Sequence, residues 1–379
     1  MKKIIVAIDS FKGSLSSLEA NRAAVRGIRK TFPTCKIDEM PITDGGEGML
    51  DLYVAATHGT KVNIQAHDPL NRLITTAYGL SGDGKTALIE MACISGLSLL
   101  KETERNPWLT TSYGTGELIA DALSKGYRNF IIGIGGSATT DCGLGMLQAL
   151  GFHFLDKEGH ILGTGGKIMD KVNQIDTTQV MPELKEATFT VACDVNNPLY
   201  GKNGAAYVYA PQKGANTSMI EDLDQGLRHI AHVAQTQCGK DLTVAGAGAA
   251  GGMGAAFIGF LDATLRPGIH LSLDLSNFEQ RVKGADLIIT GEGAIDRQSL
   301  MGKVLDGVLA RALPLQVPVI AIAGSVTDLD LLAKAGFAGI YTITPAPISL
   351  SEAMKPHITS SNITNTVSQL CSLIHTFTL

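Results

Sequence analysis

The feature that most constrains this chain is a three-part unit found near both of its ends. A short apolar run is followed by a loop of glycines and charged residues, then by a stretch with helical periodicity. At the start, Lys3–Ile8 is the apolar run and Asp9–Ser14 the loop. Leu18, Ala20, Ala24, Val25 and Ile28 then recur at helical spacing, with Ser14 or Ser16 as cap and Glu19 in the first turns. The unit repeats as strand Lys36–Ile42, loop Thr43–Gly48 and helix Met49–Ala56. It returns late, as strand Ala285–Thr290, loop Gly291–Asp296 and helix Leu305–Leu313. Val317–Ala323, with its loop Gly324–Ser325, and Ile340–Ile343 are further strands. Strand, polar loop and helix in repetition predict an α/β fold with a doubly wound parallel sheet.

Between the two ends the rhythm changes. Lys61–Gln65 and Leu73–Leu80 alternate like antiparallel strands, Gly82-Asp83-Gly84 signals a turn, and Lys85–Met91 reads as the returning strand. Strands at Phe130–Ile134 and Thr188–Cys193 follow in a region rich in Gly, Thr and Ala. A chain of 379 residues is too long for one core. The expectation is therefore a discontinuous domain, residues 1–64 with 284–379, and a mixed α/β domain, residues 65–283, inserted in it.

Composition excludes several classes. Hydrophobic residues are 45% and charged residues 18%, which argues against disorder. Net charge is −5 without a basic stripe, so no nucleic-acid partner is expected. The first apolar run stops at Asp9, too short for a signal peptide, and no run of about 20 apolar residues suggests a membrane span. Six scattered cysteines without a Cys-x-x-Cys pair read as reduced thiols of a cytoplasmic protein.

In a doubly wound sheet, ligands bind beyond the carboxyl ends of the strands. Five segments qualify. In Asp9-Ser10-Phe11-Lys12-Gly13-Ser14, backbone N–H groups and a lysine suit an anion, although a capping loop with a solvated lysine has the same letters. In Asp44-Gly45-Gly46-Glu47-Gly48, two carboxylates sit among three glycines, more than a plain turn needs. Gly135-Gly136-Ser137-Ala138-Thr139-Thr140-Asp141 offers hydroxyl and N–H donors for phosphates. Read from Gly133, it is a near miss to the dinucleotide fingerprint, with Ala138 in the last glycine position, so NAD is not expected. The fourth set is Asp194 with Pro211-Gln212-Lys213-Gly214-Ala215, and the fifth is Gly291-Glu292-Gly293-Ala294-Ile295-Asp296. Each of these last two also reads as a turn with exposed charge, but their recurrence at strand ends favours one shared cleft. The run Gly246–Gly254 carries no acid or base and is explained by close packing or a helix start.

Gly79 to Thr86 matches the Walker A pattern letter for letter. The physical motif needs a buried strand before it and a helix after it. Here alternating segments flank Gly82-Asp83-Gly84, so a hairpin is expected. A P-loop-type or other nucleotide- or sugar-acid-binding protein without kinase activity remains the alternative.

Taken in order, five motifs resemble the bacterial glycerate kinase family, type I and glycerate 2-kinase-like. They are Ala7–Ser14, Asp44–Gly48, Gly135–Asp141, Asp194–Gly201 and Thr290–Asp296. The likeness runs from residue 1 to past residue 345 without departing from the family pattern. It implies a flavodoxin-like domain built from both chain ends and an inserted mixed α/β domain. It also implies ATP and Mg²⁺ as co-substrates and D-glycerate as acceptor, with 2-phosphoglycerate favoured as product over 3-phosphoglycerate. On that resemblance Lys12, Asp44 and Asp194 are the candidate catalytic residues, with Asp44 or Asp194 orienting or deprotonating the acceptor hydroxyl. Asp9, Ser10, Ser14, Gly45, Gly46, Gly135, Gly136, Ser137, Thr139, Thr140, Asp141 and Lys213 are candidates for substrate or phosphate binding. Glu47, Glu292 and Asp296 are candidates for Mg²⁺. The implied partners are small molecules, with no membrane; a homodimer is compatible with the sequence, which does not fix oligomeric state.

Overall fold

The structure, a computed structural model, describes residues 1–378 apart from Glu47, Met301, Leu329, Asp330, Leu331 and Ala333; the side chains of Gln298 and Thr378 are also outside the description. The chain divides into two compact units, Met1–Asp44 with Pro267–Leu379, and Gly45–Arg266. The divisions thus fall at 44/45 and 266/267, not at 64/65 and 283/284. The reason is packing. Helix Met49–Ala56 lies on the strands Leu73–Leu80 and Thr86–Glu90 of the second unit, whereas helices Gly268–Leu275 and Phe278–Val282 pack with Val304–Ala312 in the first.

The first unit is built on a parallel sheet. Its strands are β1 (Lys3–Ile8), β2 (Lys36–Glu39), β11 (Leu287–Ile295), β12 (Val319–Val326) and β13 (Gly339–Thr342), in the order β13-β12-β11-β1-β2. β1 pairs in parallel with β11, Ile4 opposite Leu287 through Ile8 opposite Gly291. Both faces are covered, which is why the strands are apolar throughout rather than alternating. Ile4, Val6 and Ile8 point into a core shared with Ala20, Ala24 and Ile28 of helix Ser17–Thr31 and with Ile363 and Val367 of the C-terminal helix. Ile5 and Ala7 point into the opposite core, with Ile269, Phe278, Val304 and Val308. Ser16 caps the first helix in a capping box with Glu19, a contact that stabilises a helix start by about 1 kcal/mol.

Three strands end elsewhere than the sequence suggests. β2 stops at Glu39. β11 continues through Gly291–Ile295, a stretch expected as a loop, and β12 continues through Gly324 and Ser325. Ala294 and Ile295 keep the parallel register opposite Ser325 and Val326. Ile295 is buried with Leu305, Ala321 and Ala323, so the strand is extended by its core contact despite its glycines.

The second unit has a six-stranded sheet. Its strands are β3 (Thr60–His67), β4 (Leu73–Leu80), β5 (Thr86–Glu90), β6 (Asn129–Gly133), β9 (Thr188–Ala192) and β10 (Thr264–Arg266), ordered β10-β9-β6-β5-β4-β3. β3, β4 and β5 form an antiparallel meander, and β5, β6, β9 and β10 run parallel. The Walker A letters therefore occupy a hairpin between β4 and β5, with Lys85 exposed. β7 (His153–Leu155) and β8 (Gln174–Asp176) make a separate antiparallel pair. The six cysteines are free. No helix among the described residues is long and apolar enough to cross a membrane.

Candidate active site

In the first unit, four ionisable groups gather at the carboxyl ends of β1, β2 and β11. Asp9 directly follows β1. Its N–H donates to the Gly291 carbonyl (2.9 Å), and its Oδ1 accepts from the Ser10 N–H (2.6 Å). Its side chain continues the face of β1 that carries Ile5 and Ala7. Burial, at 4% exposure, and then the nearby Asp44 carboxylate push its pKa up to about 8. Asp44 lies in the loop that follows β2. Lys12 sits in a tight turn closed by Ser14 and Leu15 N–H donors on the Phe11 carbonyl. Its Nζ is 3.2 Å from Asp44 Oδ2, and that carboxylate raises the lysine pKa although the side chain is largely solvated.

Glu292 contributes the fourth group from within β11. Burial raises its pKa, while a hydrogen bond from Ser299 and the charge of Lys303 lower it. Its Oε1 is buried without a hydrogen-bond partner, as is Thr290 Oγ1, two residues back on the same face of the strand. A buried carboxylate oxygen left without a donor is a natural ligand for a hard cation. Mg²⁺ takes one or two carboxylates and completes its shell with water and phosphate, so Glu292 with either Asp9 or Asp44 as a second carboxylate fits it chemically.

The second unit carries the hydroxyl-rich loop after β6. Gly135 comes so close to Gly46 that a Cβ there would lie 3.0 Å from the Gly46 Cα, which brings two of the sequence-derived loops together. The loop's far end is fixed by Asp141, fully buried. Its Oδ2 accepts from the Ser112 N–H (2.8 Å), the Ser112 hydroxyl (2.9 Å) and the Gly145 N–H (3.3 Å), and its Oδ1 from the Gly143 N–H (3.2 Å). Burial raises the Asp141 pKa against these donors. Lys213, 1% exposed, donates to Ser137 Oγ (2.7 Å) and to the Thr139 carbonyl. Burial lowers its pKa to about 7, with Asp141 acting in the opposite direction. Thr139 and Thr140 are fully buried, and neither Oγ1 has a partner. Gly251, at φ +71°, lies against the Thr139 carbonyl, where a Cβ would be 2.0 Å from the oxygen. The run Gly246–Gly254 thus serves close packing against this loop.

The structure gathers Asp9, Lys12, Asp44 and Glu292, and it gathers Gly45, Gly46 and Gly135, and Ser137, Thr139, Asp141 and Lys213. It does not bring every candidate to these groups. Ser14 shares its hydroxyl with Thr359 Oγ1 (2.6 Å), which ties the turn to the C-terminal helix. Asp296 is linked to Glu292 through Ser299, whose Oγ accepts from the Asp296 N–H. Asp194 is exposed beyond β9. Lys213 does not lie in an exposed turn; it is buried. Glu47 lies outside the described residues. Sequence reasoning missed Glu90, which ends β5 and accepts from the N–H groups of Gly48 (3.0 Å) and Leu50 (2.8 Å), holding the glycine loop and the helix start. Its signal was the same as that of Asp9, an acid closing an apolar strand.

Comparison with known proteins gives a consistent result. Residues 4–375 match the model of the glycerate kinase family. The chain is 45% identical to the glycerate kinase of Halalkalibacterium halodurans, over 94% of both chains. It is also 45% identical to the glycerate 2-kinase of Escherichia coli, over 93% of both. A crystal structure from Salmonella typhimurium LT2, of a protein assigned as a glycerate kinase 2, superposes with a TM-score of 0.88 at 42% identity, covering 100% of this chain and 99% of that one.

Proposed function

The chain belongs to the glycerate kinase family, and from that premise we propose that it transfers the γ-phosphoryl group of ATP to the 2-hydroxyl of D-glycerate, giving 2-phosphoglycerate and ADP. The observation that carries this reading is likeness along almost the whole of both chains to proteins named for that activity, one of them for the 2-position. The alternative of a nucleotide- or sugar-acid-binding protein without kinase activity gives way to it. The strand order of the first unit, β2-β1-β11-β12-β13, is the flavodoxin-like order, with helices on both faces, and supports a doubly wound reading of that unit. Small-molecule substrates and a cytoplasmic place accord with it; a homodimer is compatible and plays no part in the chemistry.

Phosphoryl transfer asks the protein for alignment and charge stabilisation more than for covalent help. The acceptor oxygen forms a bond to the γ-phosphorus as the bond to the β,γ-bridging oxygen breaks, and the hydroxyl proton leaves to a carboxylate. Asp44 suits that role better than Asp194, because Lys12 holds it in place and Asp194 is exposed. Lys12 offers its ammonium to phosphate oxygens, and Ser10 with Asp9 shapes the turn beside it. Glu292, with Asp9 as a second carboxylate, would hold Mg²⁺, and bound Mg²⁺ supplies neutralisation of phosphate charge. In the second unit, Gly45, Gly46, Gly135 and Gly136 let a ligand approach the backbone, and the hydroxyls of Ser137, Thr139 and Thr140 donate to phosphate oxygens. Phosphorus NMR of the product formed from Mg-ATP and D-glycerate tests the regiochemistry. A 2-phosphoglycerate resonance is expected, and 3-phosphoglycerate as the sole product would contradict it.

A further inference from the structure

We propose that Lys213 is a positioning residue: its ammonium fixes the shape and hydrogen-bond polarity of the loop Gly135–Asp141 and does not itself touch phosphate. The proposal rests on the reading that this loop receives phosphate oxygens.

Lysine is among the residues least often fully buried, because an ammonium taken out of water must recover its hydrogen bonds. Lys213 is 1% exposed, and the two bonds recorded for its Nζ both go to the loop, to Ser137 Oγ and the Thr139 carbonyl. Its own segment is braced. The single turn Pro211–Lys213 ends at Gly214 in the left-handed region, where a Cβ would come within 2.3 Å of the Arg105 carbonyl oxygen. The ammonium therefore has little freedom to leave the loop for a ligand.

The chemistry of the Ser137 contact adds a consequence. In its protonated form Lys213 can only donate, so Ser137 Oγ then accepts from it and turns its own hydrogen elsewhere. Lys213 thereby turns Ser137 into a donor for an anion. At the Thr139 carbonyl the same ammonium holds the peptide turned towards itself, and Gly251 packs against that carbonyl. At the other end Asp141 anchors the loop through its four hydrogen bonds. The hydroxyls of Thr139 and Thr140, which lie between, have no protein partner. The groups that build the loop are satisfied, and these two buried hydroxyls are the ones left over.

The test uses the full-length protein and the variants Lys213→Met, Ser137→Ala and their double, with melting curves as the check of folding. Steady-state kinetics are measured with Mg-ATP and D-glycerate. A loop displaced by about an ångström lowers kcat on the order of 100-fold in Lys213→Met, with both KM values within about threefold of the parent. Because Lys213 acts partly through Ser137, the double variant should lie within about threefold of Lys213→Met rather than at the product of the two losses. Independently of activity, amide hydrogen exchange in the peptide spanning residues 135–141 should rise by about tenfold or more in Lys213→Met while the rest of the protein is unchanged. If Lys213→Met does not fold, Ser137→Ala carries the test and should show a smaller rise confined to the same peptide.

Unchanged exchange in that peptide overturns the proposal. So does a raised KM for ATP with multiplicative losses in the double variant, since that pattern places the ammonium on the phosphate. A parent protein that forms no ADP in response to D-glycerate overturns the kinase reading instead, and the exchange comparison still decides the role of Lys213.

Discussion

Lys12 Nζ lies 3.2 Å from Asp44 Oδ2, so the loop after β1 and the loop after β2 meet through opposite charges. Lys85, the other lysine that sequence pattern alone would place on a phosphate, is exposed on the hairpin between β4 and β5, where its N–H donates to Asp83 Oδ1. A charge-assisted contact made mainly in the transition state is worth about 2–4 kcal/mol, or roughly 30- to 1,000-fold in rate. Lys12→Ala should therefore lower kcat/KM by that range, while Lys85→Ala stays within about threefold of the parent. Steady-state assays on both, after melting curves show them folded, check this. A dead Lys85→Ala beside an active Lys12→Ala would restore the Walker A reading.

Glu292→Gln removes the charge from the buried carboxylate of β11 and keeps its shape. The expected outcome is an apparent Mg²⁺ affinity weakened about tenfold or more, with a smaller change in the KM for D-glycerate. Titration of activity against free Mg²⁺ checks it. An unaltered Mg²⁺ dependence would move the cation elsewhere.

The strand-loop-helix rhythm of the two chain ends was readable because both faces of the first unit's sheet are buried, which makes β1 and β11 continuous apolar runs. The hairpin at Gly82-Asp83-Gly84 was readable from turn chemistry. The extension of β11 through Gly291–Ile295 was not, since glycines normally signal a loop, and it is the burial of Ile295 against Leu305 and Ala321 that keeps the strand going. The same limit hid Lys213. A Pro-Gln-Lys-Gly turn reads as exposed, and only the tertiary arrangement shows that the loop around Ser137 closes over it. Glu90 was overlooked because β5 reads as part of a hairpin, although it also pairs in parallel with β6.

Ser112 is the main support of the buried Asp141 carboxylate, through its N–H and its hydroxyl, and that hydroxyl also accepts from the Met146 N–H (3.0 Å). Ser112→Ala should cost about 1–3 kcal/mol, because it removes a donor from a buried charge and leaves a buried N–H unpaired. Denaturant melts of the parent and the variant measure it. A loss below about 0.5 kcal/mol would show that Asp141 does not depend on this hydroxyl.

Stability should also depend on pH through Lys213. Its folded-state pKa is lowered to about 7 from the ordinary value of 10.5. Below pH 7 both the folded and unfolded chains carry the proton, and this group adds no pH dependence. Between about pH 7 and 10 the unfolded chain binds the extra proton, so this contribution favours folding increasingly as pH rises, with a slope of at most about 1.4 kcal/mol per pH unit. Denaturant melts at pH 7 and pH 9 should show the parent gaining stability relative to Lys213→Met. A constant difference between the two proteins would mean that Lys213 stays charged throughout.

The central claim is glycerate-dependent phosphoryl transfer, and the most direct measurement is ADP formation by the purified protein with Mg-ATP, in the presence and absence of D-glycerate. The account predicts ADP release that requires D-glycerate, saturates with it and is matched mole for mole by phosphoglycerate. ADP formed at the same rate without D-glycerate, or none formed with it, would contradict the account.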